Sequence, residues 1–165
     1  MKINTFITLA LIFLTTGCAT TNTSNGIITN IKTDLSTTEE QKWEFLSGKW
    51  FGSQPIKDGG VRQEIMERSP QGTYKITFRV YDKEGKHQEQ TEAGHWGVSG
   101  PVYFTSFRGW VKGKEFNPAN PSDPYNYDAY RIIKLNNEVF KYEHFTQKGT
   151  YIIKKVSNDF VFPER

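Results

Sequence analysis

Thr73-Tyr74-Lys75-Ile76-Thr77-Phe78-Arg79-Val80-Tyr81 sets Tyr74, Ile76, Phe78 and Val80 against Lys75, Thr77 and Arg79. Successive side chains of a strand point to opposite faces, so this period of two describes a strand with one buried face. The same texture continues outward in both directions, broken by turn sequences at Asp58-Gly59-Gly60, Ser69-Pro70-Gln71-Gly72, Lys83-Glu84-Gly85, Ser99-Gly100-Pro101, Asn136-Asn137 and Lys148-Gly149. These turns predict about eight strands: 49–54, 61–68, 73–81, 86–98, 102–111, 127–135, 138–147 and 150–157. Eight successive hairpins close most simply into an all-β, antiparallel up-and-down barrel. Closure leaves no exposed edge strand and encloses space for side chains or one small ligand. The high aromatic content, 15% of 165 residues, suits such an interior. Ahead of the strands, Ser36 and Glu39 have capping-box spacing, and 37–46 carries Trp43, Phe45 and Leu46 before Gly48. This predicts a short N-terminal helix with a glycine stop.

The N-terminus has a different character. Lys2 precedes an apolar run from Ile3 to Phe13, and Gly17 precedes Cys18, the sole cysteine. The run suits a signal peptide and falls short of the about 20 apolar residues of a membrane span. A lone cysteine in an exported chain forms no internal disulfide. Residues 20–34 are polar and read as a tether, or alternatively as a first strand through Ile27, Ile28 and Ile31. The expected organisation is therefore a signal peptide at 1–17, a tether at 18–35 and one barrel domain at 36–165. The formal net charge is +3, with acidic and basic residues interleaved, so nothing recommends nucleic acid as a partner.

Leu14-Thr15-Thr16-Gly17-Cys18 resembles the lipobox of bacterial lipoproteins, with Thr15 where a leucine is usual. The resemblance implies that the Cys18 thiol is alkylated with diacylglycerol and becomes the new N-terminus. Ala19, in place of an aspartate, implies sorting to the outer membrane, with the domain on the periplasmic face. The alternative is an ordinary secretory signal with Cys18 inside or just after the cleaved piece. Gly48-Lys49-Trp50, directly after the helix, resembles the Gly-x-Trp signature of lipocalins and small bacterial lipocalin-like lipoproteins, over a layout from Trp43 to Phe162. That resemblance implies structural roles for Gly48 and Trp50, the tryptophan plugging the closed end beneath an arginine of the last strand. Here Lys154 and Lys155 occupy that strand, so a lysine stem is the expected cover.

Alternating hairpins place the turns at Pro70, Gly100 and Asn136 at the helix end. Those at Asp58, Glu84 and Gly149, with the long segment 112–126, belong to the opposite end, the expected mouth. Arg108, Tyr130, Tyr142 and His144 fall in the mouth half and are expected ligand-binding residues. An arginine among aromatics suits an apolar ligand bearing a carboxylate. The alternative has Arg108 facing out and the tyrosines filling the core, because a one-residue slip reverses the face. Segment 112–126 contains Pro118, Pro121 and Pro124, with Phe116 and Tyr125 as apolar groups, and is expected either to act as a stiffened lid contacting the ligand or to be a rigid surface excursion without a role in binding.

Catalytic patterns are missing from the sequence. His87 and His95 sit about 26 Å apart on one expected strand and cannot share an ion, and no His-Glu-x-x-His or cysteine cluster occurs. Gly97-Val98-Ser99-Gly100 is not a nucleophile elbow. No metal, cofactor or enzymatic role is expected. The two resemblances together imply a lipid-anchored envelope protein, and the barrel is expected to hold a small apolar or amphipathic molecule of the fatty acid or lysolipid class. The competing reading is a filled barrel that serves as an interaction module for another envelope protein.

Overall fold

The structure, a computed structural model, describes residues 37–147 and 149–164. The expected signal peptide, Cys18, the tether and Ser36 lie outside the described residues. Helix α1 spans Glu39–Leu46 and is capped by Thr38: its hydroxyl accepts the Gln41 amide at 3.2 Å, and the Gln41 side chain accepts the Thr38 amide at 3.0 Å. The capping box is thus Thr38 and Gln41 rather than Ser36 and Glu39. Glu39 is otherwise engaged, accepting the Lys42 ammonium at 2.7 Å and the Gly100 amide at 3.2 Å. With Lys42 donating to the Gly100 carbonyl at 3.0 Å, these contacts tie α1 to the turn at Gly100.

Among the described residues nine strands follow: β1 Gly48–Pro55, β2 Val61–Arg68, β3 Thr73–Tyr81, β4 His87–Ser99, β5 Val102–Lys112, β6 Glu115–Pro118, β7 Tyr127–Leu135, β8 Val139–His144 and β9 Thr150–Lys155. Eight of them close antiparallel in the ring β1-β2-β3-β4-β5-β7-β8-β9, with β9 returning to β1 through Trp50↔Lys155 and Gly52↔Ile153. The fold is a closed eight-stranded antiparallel β-barrel with one short helix, as the turn pattern predicts.

The ninth strand corrects the expected lid. β6 forms a hairpin with the mouth end of β5, from Lys112↔Glu115 to Gly109↔Pro118, while β7 pairs with the closed half of β5. Segment 112–126 therefore prolongs the wall next to β7, and a short 3-10 turn at Pro124–Asn126 leads back into the ring.

Apolar parity builds the closed end. Trp50 is fully buried and donates from Nε1 to the Leu46 carbonyl at 3.0 Å. Around it pack Leu46, Phe140, Tyr103, Ile132 and Ile153, all buried. Lys155 provides the expected lysine cover. Its ammonium lies 4.9 Å from the Trp50 ring centroid and donates to the carbonyls of Phe45, at 2.8 Å, and Ser47. On the outside, Phe51 packs against Phe160 and Phe162 of the C-terminal tail, with centroids 5.0 and 6.5 Å apart, and Lys49 donates to the Asn158 carbonyl. The tail covers the outer face of β1 and reaches across β2 to β3, where Arg79 lies over the Phe162 ring.

Candidate functional site

Trp50 faces inward, and directly opposed residues of neighbouring strands share a face. The register Trp50↔Met66, Met66↔Ile76 and Ile76↔Glu92 therefore carries the inward face from β1 to β4. Moving up that face by twos brings Glu64 and Arg62 on β2 and Phe78 on β3 into the lumen. Tyr103, Thr105 and Phe107 of β5, Asp128 and Tyr130 of β7, Tyr142 and His144 of β8 and Tyr151 of β9 complete the wall. They enclose a cavity of about 240 Å³ on the mouth side of the closed core. Gly52 on β1 lets Ile153 and the Glu64 stem close in beside it, because a Cβ there would sit 2.8 Å from Ile153 and 3.1 Å from the Glu64 stem.

Charge is concentrated in this cavity. The Arg62 guanidinium lies 3.4 Å from the Glu64 carboxylate and 4.2 Å from the centroid of the Phe78 ring. Burial raises the Glu64 carboxyl above its ordinary value, against the opposing pull of Arg62 and Arg68. Glu92 is also raised, first by burial, with Arg62 opposing and Asp128 and Glu64 adding. Burial likewise pushes the phenols of Tyr74, Tyr103, Tyr130 and Tyr142 upward, so all four are neutral hydroxyls near neutral pH.

His144 Nε2 lies 3.0 Å from Asp128, and Nδ1 accepts the backbone amides of Thr146 at 3.1 Å and Gln147 at 3.0 Å. A nitrogen that accepts amide protons carries none itself, so the ring proton resides on Nε2 and is donated to Asp128. Both nitrogens are engaged and neither offers a lone pair to the lumen. At the closed end, buried Arg68 donates from Nε to the Tyr103 hydroxyl at 3.1 Å, with its guanidinium 4.8 Å from the Tyr103 ring centroid and 5.5 Å from that of Phe140. Its two terminal nitrogens have no hydrogen-bond partner among the described residues and rest against these ring faces. Among the described residues no group of three His, Cys, Asp or Glu side chains is placed to hold a metal ion.

Of the residues expected from sequence, Tyr130, Tyr142 and His144 line the cavity. Arg108 does not. It is the extra residue of a β-bulge between Ala93↔Gly109 and Gly94↔Phe107, and it faces outward, where its Nε reaches His95 at 3.4 Å. Phe116 and Tyr125 do not line the cavity either; Phe116 packs near Gly109 and Tyr125 is 90% exposed. The expectation that all three contact a ligand in the lumen is therefore dropped. Sequence reasoning missed Arg62, Glu64, Glu92 and Asp128. The five-residue connection after Pro55 sets Trp50 opposite Met66, and that register would have turned the even residues of β2 inward.

No family model and no curated protein matches the chain. Among solved structures the chain is similar to a lipocalin-like protein from Bacteroides uniformis, at 16% identity and a TM-score of 0.42, over 68% of this chain and 99% of that one.

Proposed function

We propose that this chain is a lipid-anchored envelope protein whose barrel holds one small amphipathic molecule in its lumen. The observation that carries the reading is the 240 Å³ cavity, with an aromatic floor and charged groups in its wall. Small-molecule sites usually run from about 300 to 1,000 Å³, so this one suits a short or ring-sized guest better than a full acyl chain or lysolipid. Aromatic filling of the closed half is what the alternative, an interaction module, predicts; the open space above it supports binding. Anchoring rests on the apolar run ending at Gly17-Cys18.

Native mass spectrometry of the protein purified from its own envelope tests both parts. We expect a diacylglycerol-modified Cys18 and a non-covalent small molecule, the first lost in Cys18→Ser and the second in Thr105→Trp, which fills the cavity. An unmodified, cleaved N-terminus would overturn the anchor. A protein that never carries a guest, or carries it equally well with the lumen blocked, would overturn the binding reading.

A further inference from the structure

We propose that the lumen selects a small organic cation, a protonated amine on a ring-sized apolar body, whose ammonium is received by Glu92 with Glu64 and Asp128. The proposal rests on the lumen-binding reading and adds the charge and size of the guest.

The first argument is the inventory of charges in the cavity wall. Three carboxylates, Glu64, Glu92 and Asp128, face the cavity, and Arg62 is the cation among the described residues that line it. His144 is held as a neutral donor to Asp128 by the two amides at Nδ1. Arg62 is engaged by Glu64 and the Phe78 ring. Glu92 makes no hydrogen bond or ion pair with any described residue. A partly buried carboxylate that feels Arg62 only beyond ion-pair distance is unfavourable, and a cation from outside would relieve it. An anion would instead meet Glu92 and Asp128, while Arg62, the cation in the described lining, is already engaged by Glu64.

The second argument is that the cavity already displays the required chemistry. Arg62 is a cation lying over an aromatic face and against a carboxylate, the combination that cation recognition uses. Across the lumen, Phe107 and Tyr130 offer further ring surface close to Asp128 and Glu92 in the same wall. The third argument is size. Liquid water occupies about 30 Å³ per molecule, so 240 Å³ is the space of about eight waters, enough for a guest of about ten non-hydrogen atoms.

Three probes with one apolar body and different charge test the proposal: 2-phenylethylamine, 2-phenylethanol and 3-phenylpropanoate. Each is titrated by calorimetry into the full-length protein at about pH 7.5, and into Glu92→Gln, Thr105→Trp and the surface control Glu67→Gln. We expect the amine to bind at least about tenfold tighter than the alcohol or the acid. Its affinity should fall about tenfold in Glu92→Gln, vanish in Thr105→Trp and be unchanged in Glu67→Gln. Equal or tighter binding of the alcohol or acid, lost in Thr105→Trp, would overturn the cation assignment and leave lumen binding standing. Amine binding indifferent to both Glu92→Gln and Thr105→Trp would place the cation elsewhere and overturn the proposal. If no probe binds while a guest co-purifies with the native protein, the ligand class falls alone; if neither is found, both readings fall.

Discussion

Lys155 secures the closed end from two sides, lying against the Trp50 ring and donating to two carbonyls at the end of α1. Burial lowers its ammonium below the ordinary value, with Arg68 adding to the effect. Gly48 makes the arrangement possible. Its φ of +96° lies where side chains are strained, and a Cβ there would come within 3.3 Å of Lys155 Cε. The glycine, tryptophan and lysine therefore work as one unit, whose first two members stand out in the sequence because residues 48–50 are short and local. Which of Lys154 and Lys155 points inward was not legible, since that depends on the register with Trp50. Truncating Trp50 to Ala should cost about 3–5 kcal/mol. Lys155→Ala should cost about 1–3 kcal/mol through the unmatched carbonyls, whereas exposed Lys154→Ala should stay within about 0.5 kcal/mol of the parent. Urea midpoints of the three variants check this ranking, and equal losses for the two lysines would show that the cover is not structural.

At the scale of elements, the boundaries of the ring strands were readable because glycine- and proline-bearing turns mark most of them. β6 was not, because Gly113-Lys114 is a two-residue hairpin turn inside a stretch whose three prolines favour a loop reading. Arg108 was misplaced for a related reason: alternation does not hold through a bulge. The extra residue brings Phe107 and Trp110 to the same side, with ring centroids 4.7 Å apart, although their spacing in an unbroken strand would separate them. The β5–β6 hairpin and the segment after it extend the wall without reaching the cavity. Replacing Phe116 and Tyr125 together by Ser should therefore leave the release rate of a lumen guest within about twofold of the parent. Stopped-flow displacement of 2-phenylethylamine measures this, and a markedly faster release would restore the lid.

Across the whole molecule, the barrel divides into a closed half held by apolar and aromatic packing and a mouth half whose wall carries more carboxylates than cations. The division was hidden in the sequence because β2 is buried on both faces, so burial pattern alone did not tell which of its charges point inward. The charges leave a thermodynamic signature. Glu64 and Glu92 both sit above the ordinary carboxyl value of 4.5 in the folded state, first because they are buried. The folded protein then binds more protons than the unfolded chain just above that value, so their contribution to stability is intact below it and is lost as pH rises through the folded-state values. Glu92→Gln removes a charge that the fold disfavours. The variant should melt above the parent at about pH 7.5 and together with it at about pH 4, by calorimetric scans of both proteins at each pH. An excess of 2-phenylethylamine should narrow the gap at the higher pH by stabilising the parent more than the variant, since stabilisation grows with the logarithm of ligand concentration over Kd and the parent has the lower Kd. A Glu92→Gln variant that is less stable at about pH 7.5 would mean that the carboxylate is satisfied within the barrel, and the electrostatic asymmetry of the lumen would then have to be abandoned.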